Sequence, residues 1–225
     1  MSTSRAALVR AVSPRLADAE LTHLDRTPAD VDRAVVQHTA YRQVLRALGL
    51  DVVVAPPAPD HPDAVFVEDA LVVVDDLGIL TRPGARSRRG EVEGLAPLLA
   101  DRGLRQAALT APGTLDGGDV LQVGRTVFVG RSSRTDEAGI RQLRTLVGPL
   151  GRALDTTPFA PGAVLEVAEP AGANVLLVGE TVVVSASAPR TAAMLAARGW
   201  DVRTVEVDEF ELVEAGPTCL SVLLP

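Results

Sequence analysis

A single cysteine, Cys219, among 225 residues rules out an intrachain disulfide framework, so covalent staples contribute nothing to this fold. Aromatic residues are scarce, 3% of a chain that is 47% hydrophobic, and the core must therefore be packed mainly from Val, Leu, Ala and Ile. No window approaches the ~20 continuous apolar residues of a membrane span, and Met1-Ser2-Thr3-Ser4-Arg5 leads into no apolar signal segment. Excess positive charge is also missing. A net charge of −7 argues against general affinity for nucleic acid or anionic membrane, both of which need a basic surface to displace counterions, and it suits a cationic small molecule better. The composition reads as a cytoplasmic, globular protein of one domain, residues 1–225, long enough to bury a sizeable core.

What the chain does have is a repeated unit of strand, tight turn and strand. Ala70-Leu71-Val72-Val73-Val74 turns through Asp75-Asp76-Leu77-Gly78 into Ile79-Leu80-Thr81. Val120-Leu121-Gln122-Val123 turns at Gly124-Arg125 into Thr126-Val127-Phe128-Val129, and Val175-Leu176-Leu177-Val178 turns at Gly179-Glu180 into Thr181-Val182-Val183-Val184-Ser185. The units recur about 50 residues apart, as in an internal repeat. Helical patterns lie between them. Thr27 can cap a helix with Pro28 at its first position, whose apolar spacing runs out at Gly49. Similar stretches run over 90–102, 136–147 and 189–198, with Gly103 and Gly199 as stops.

Three hairpin-and-helix units, with an apolar strand at each terminus (Ala6-Ala7-Leu8-Val9 and Leu220-Ser221-Val222-Leu223-Leu224), predict an α/β ring closed by pairing the two ends. Closure removes exposed sheet edges. An open α/β sheet is the alternative.

The polar residues gather in four places. Asp63-Ala64-Val65-Phe66-Val67-Glu68-Asp69 reads as carboxylates bracketing an apolar strand, with Asp63 and Asp69 on one face and Glu68 on the other. Thr114-Leu115-Asp116-Gly117-Gly118-Asp119 enters the next hairpin, where glycines permit close backbone approach. It lacks the regular oxygen ligands of a calcium loop, and no metal site is expected. Arg88 and Arg134 follow the second strands of successive hairpins, and paired guanidinium forks suit a carboxylate. Cys219 alone reads as a small buried hydrophobe. Beside carboxylates for a cation and arginines for a carboxylate, it points instead to an amino acid with a cationic side chain.

These segments, namely Asp63 to Asp69, Leu80 to Glu91, Ala111 to Asp119, Gly130 to Thr135 and Thr218-Cys219-Leu220-Ser221, resemble in the same order those of the dimethylarginine dimethylaminohydrolase family of the pentein superfamily. The resemblance implies a pentein-type β/α propeller of five blades around a central site, and hydrolysis of Nω,Nω-dimethyl-L-arginine or Nω-methyl-L-arginine to L-citrulline and an amine without a cofactor. By motif it makes Cys219 the nucleophile and has Asp69 and Asp116 hold and polarise the guanidinium. Asp63, Glu68, Arg88 and Arg134 join the substrate site, with Leu21 on a lid. An arginine deiminase-like hydrolase and a noncatalytic guanidine-binding protein are the alternatives, and self-association into a homo-oligomer is left open.

One part of the pattern is missing. The family carries a histidine in a Leu-His-Leu-Lys type segment one blade after the Arg134 region, and nothing here matches it; His23 falls in the lid motif, His38 in a helix and His61 in a Pro-rich loop. Set against the family pattern, about 30 residues are absent near Leu154 to Pro158, enough for one hairpin and its connection, and the repeat count agrees. Four units are expected instead of five, and the ring is expected to be open.

Overall fold

A computed structural model of the chain describes residues 6–160 and 163–225; Met1 to Arg5, the segment read above as leading into no signal sequence, lies outside the described residues. In chain order the main elements are β1 (Ala6–Arg10), α1 (Val31–Ala47), β2 (Asp51–Ala55), β3 (Leu71–Val74), β4 (Leu77–Leu80), α2 (Leu95–Asp101), β5 (Arg105–Ala108), β6 (Val120–Val123), β7 (Thr126–Val129), α3 (Glu137–Val147) and β8 (Ala153–Asp155). They continue with β9 (Leu176–Val178), β10 (Thr181–Ser185), α4 (Pro189–Ala197), β11 (Asp201–Val205), α5 (Asp208–Glu211) and β12 (Val222–Leu224).

Among the described residues the strands form four three-stranded sheets on one plan, an antiparallel pair plus a third strand parallel to its neighbour and reached through a helix. Blade one joins the chain ends: β12 pairs antiparallel with β1, Ala6 opposite Leu224, and β2 lies parallel on the other side. Blades two (β3-β4-β5), three (β6-β7-β8) and four (β9-β10-β11) follow. Their hairpins turn in two residues, of which the first, Asp75, Gly124 or Gly179, has φ of 54°, 57° or 60°, the left-handed start that matches strand twist. In blade two the turn is thus Asp75-Asp76 alone, and the second strand starts at Leu77.

The helices follow the expected periodicity with shifted ends. Asp30, not Thr27, caps α1: its carboxylate accepts the Arg33 N–H at 3.0 Å, while its own N–H is held by Glu209 at 2.8 Å, so a tertiary partner sets the start. The stretch 90–102 splits at Gly94, where φ is +77°, into a 3-10 helix Arg86–Val92 and α2. The segment Asp63 to Asp69 is not a strand. It is a turn followed by the 3-10 helix Val67–Ala70. Val65 and Phe66 enter the core shared with blade four, whereas Val67 enters the core shared with blade two, a split that a turn accommodates.

Apolar packing links the blades in series. Val9 and Leu16 pack with Val178 and Val183, joining blades one and four; Leu8 packs with Leu71 and Leu95, joining one and two; Val72 and Ile79 pack with Val127 and Val129, joining two and three. No apolar cluster among the described residues joins three to four. There Leu121 and Val123 of β6 are each 51% exposed and Leu177 of β9 is 48% exposed. Blade three is complete, since β8 is its parallel strand, and 156–169 crosses toward blade four without a strand or helix among its described residues. The ring is open at this point.

Candidate active site

Loops from all four blades border a cavity of about 410 Å³ lined by Asp63, Glu68, Asp69, Arg88, Arg134 and Cys219 together with the 20–23 loop, Asn174 and the 213–218 turn. The 3-10 turn before β3 therefore delivers Glu68 to the same side as Asp63 and Asp69, where strand alternation had placed it opposite.

Asp69 is held from two sides: one oxygen accepts Arg88 Nη1 at 2.6 Å and the other accepts the Gly118 N–H at 3.1 Å. Arg88 is buried and has its remaining donors on Glu91 and on the carbonyls of Asp63 and Phe66. Burial works against its charge, but Asp69, Glu91 and Asp63 raise its pKa well above the ordinary value. Asp63 accepts the Glu20 N–H at 3.3 Å and is pushed upward by burial. Glu68 accepts from Thr218 Oγ1 at 3.0 Å and donates its own N–H to the Cys219 carbonyl at 3.4 Å. Burial and the neighbouring Asp69 push its carboxyl up to about 7.

Asp116 lies behind this wall and does not line the cavity. It is fully buried, one oxygen accepting the Gly84 N–H at 2.9 Å and the other 3.3 Å from Arg134 Nε without hydrogen-bond alignment. Burial and Asp69 push it up to about 6. Gly117 lets the Asp116 loop approach so closely that a Cβ there would lie 1.9 Å from the Glu68 carbonyl oxygen. Leu21 turns its side chain onto the core, while Glu20, Thr22 and His23 on either side line the cavity.

The Cys219 thiol is pushed up to about 12, first by burial and then by Glu68 and Asp69. Asn174 Nδ2 donates to its sulfur at 3.7 Å. Asn174 and Glu214 are site residues that the sequence did not single out. Glu214 accepts the backbone N–H groups of Thr22 and Leu24 at 2.9 and 2.7 Å, and that of His23 as well, and so ties the 20–24 loop across the cavity. Glu214 ends the acidic run Glu206, Asp208, Glu209, Glu211, Glu214 ahead of Cys219, which is a weak signal; Asn174 carries none.

The histidines are dispersed. His38 is buried in α1, its pKa lowered to about 4 by burial and then by Arg42, and His61 is 3.0 Å from the Ser87 carbonyl through Nδ1. His23 is the one that borders the cavity.

Known proteins carry the same plan. A family model described as N,N dimethylarginine dimethylhydrolase, eukaryotic, matches residues 23–149. The N(G),N(G)-dimethylarginine dimethylaminohydrolase of Streptomyces coelicolor is 41% identical, over 98% of this chain and 97% of its own. The chain belongs to the dimethylarginine dimethylaminohydrolase family. The Pseudomonas aeruginosa enzyme of that name is 30% identical over 85% of this chain and 89% of its own. The crystal structure of a cysteine-to-serine variant of that protein with citrulline aligns with a TM-score of 0.88 at 28% identity, covering 99% of this chain and 100% of the other. The N-terminal domain of ArgZ, an arginine dihydrolase, shares the fold at 18% identity, with a TM-score of 0.81 over 97% of each chain.

The fold is thus a pentein-type β/α propeller, present here with four blades. The Streptomyces alignment runs over 251 positions whereas this chain has 225 residues, so at least 26 aligned positions have no residue here. The family-model match stops at 149, just before β8 and the opening of the ring.

Proposed function

We propose that this family member hydrolyses Nω,Nω-dimethyl-L-arginine or Nω-methyl-L-arginine to L-citrulline and the corresponding amine through a covalent intermediate on Cys219. The observation that carries the reading is the pairing of the half-buried Cys219 thiol with Glu68 and Asp69 in one cavity. Burial first and then those carboxylates hold the thiol protonated, and a guanidinium bound between thiol and carboxylates offsets the carboxylate charge and lowers the cost of forming the thiolate. Asp69, fixed by Arg88 and Gly118, and Glu68 face the cation; Asp116 supports them from behind through the Gly117 approach and Arg134. Asp63 receives the amino-acid end. Arg134, 44% exposed and tethered only through Asp116, is the clamp for the carboxylate, whereas Arg88 reaches it by exchanging one of its present partners.

The thiolate attacks the guanidinium carbon, forming a C–S bond as the C=N electrons move to nitrogen. Protonation of the departing amine nitrogen breaks its C–N bond and leaves an S-alkylthiouronium. Water then adds to that carbon with loss of a proton, and the C–S bond breaks to return the thiol and release citrulline. The chain performs the attack with its own residues, but the proton transfers lack the histidine of the missing blade. Loss of a general acid and base costs about 10²- to 10⁴-fold in rate, and turnover is expected to be slow by that margin.

Calorimetry with dimethylarginine and with arginine tests the site. Binding that is lost in Asp69→Asn supports it, and no binding to either ligand overturns it. The open ring favours one second reading, a noncatalytic guanidine-binding protein, for which binding would occur without any citrulline.

A further inference from the structure

Blade four stands beside the opening in the ring, yet it supplies a side chain that donates to the sulfur; Thr218 Oγ1 lies 4.0 Å from the same sulfur but donates its hydrogen to Glu68 at 3.0 Å. Asn174 follows the 3-10 turn Pro170–Ala173 at the entry to that blade. Its Nδ2 donates to Cys219 Sγ at 3.7 Å and its Oδ1 accepts the Thr218 N–H at 2.9 Å. The second bond decides the first: with the oxygen committed to a backbone donor, the amide must turn its NH₂ end to the thiol. Gly216 completes the fit, because a Cβ there would lie 2.6 Å from Asn174 Cγ. The 216–219 turn is shaped around one amide.

We propose that Asn174 is a catalytic residue that stabilises the Cys219 thiolate by donating an N–H to the sulfur and that aims the sulfur into the cavity. The proposal rests on Cys219 as the nucleophile, the reading given above. The charged groups around the sulfur do not supply this help. Glu68 and Asp69 oppose a thiolate from blade two, and Arg88, the nearby cation, is engaged by Asp69 and Glu91. Arg134 pairs with Asp116, Glu214 is spent on the 20–24 loop, and His23 lies across the cavity on that loop. Tyr41, behind the turn, directs its hydroxyl to the Pro217 carbonyl and Ser221. A neutral donor can favour the thiolate without competing with a cationic substrate for the carboxylates.

The test is the pH dependence of Cys219 alkylation by iodoacetamide in the ligand-free chain, with thermal unfolding followed in parallel. Asn174→Ala removes both bonds. Gly216→Ala displaces the amide without changing its chemistry, and Asn174→Asp keeps an acceptor for Thr218 while losing the donor to sulfur. All three should alkylate roughly ten-fold more slowly at a given pH, equivalent to a thiol titrating about one unit higher. Rates at or above wild type in the variants that keep a cooperative unfolding transition would overturn the proposal, even if their stability fell. Because no substrate is present, the outcome is independent of whether dimethylarginine binds.

Discussion

Glu68 and Asp116 hold protons at pH values where exposed carboxyls have lost them, up to about 7 and about 6, because burial beside Asp69 disfavours further negative charge. A carboxyl whose pKa rises on folding contributes stability that is complete below its unfolded pKa, near 4, and is lost as pH rises through the folded value. Stability of the ligand-free chain should therefore fall between about pH 4 and 7, by a few degrees in Tm, and Glu68→Gln should flatten that slope in melts taken across the range. The lowered carboxyls, such as Asp75 and Asp136, act in the opposite sense at lower pH. Gly117→Ala should destabilise by about 1–3 kcal/mol, because the added Cβ meets the Glu68 carbonyl; chemical denaturation reads this directly. At this scale the motifs marked six residues that share one cavity, Asp63, Glu68, Asp69, Arg88, Arg134 and Cys219, while Asp116 and Leu21, marked in the same way, lie outside its lining. Asn174 was not legible, since an asparagine after Ala171-Gly172-Ala173 has the local signature of a turn and its partner lies 45 positions away.

Elements were legible where local forces set them and not where distant partners do. The hairpins β6-β7 and β9-β10 announce themselves by apolar runs around Gly124 and Gly179, whose positive φ fixes the turn. The third strands β2, β5, β8 and β11 were hidden. No hairpin turn marks them, β5, β8 and β11 carry charged or polar residues, and all four pair in parallel with strands a whole helix earlier. The same logic explains α1, whose cap moved to Asp30 because Glu209 holds its N–H. Asp30→Ala should cost about 1 kcal/mol of stability, measurable by denaturant unfolding, through loss of the bond to the Arg33 N–H.

The whole molecule is a propeller interrupted between its third and fourth blades. The terminal strand pair closes the chain ends, as the apolar termini anticipated, and three shared cores run from blade four through one and two to three. Counting repeats anticipated the four units; they did not show how 156–169 crosses the opening. Beside the crossing, Leu121 and Val123 of β6 stay exposed, an apolar patch of the kind that drives association. Val123→Lys should lower concentration-dependent light scattering while leaving ligand affinity unchanged.

On the proposed reading the opening also limits function, because the family pattern puts a histidine on the blade that would fill it, while Cys219, Asp69 and Arg134 still share a cavity. Citrulline formation from dimethylarginine, followed over long incubations in wild type and Cys219→Ser, is the most direct measurement of the central claim. Slow production by wild type, about 10²- to 10⁴-fold below an enzyme with a complete acid–base pair and absent in the variant, is the predicted result. No citrulline from wild type, or equal amounts from both chains, would contradict it.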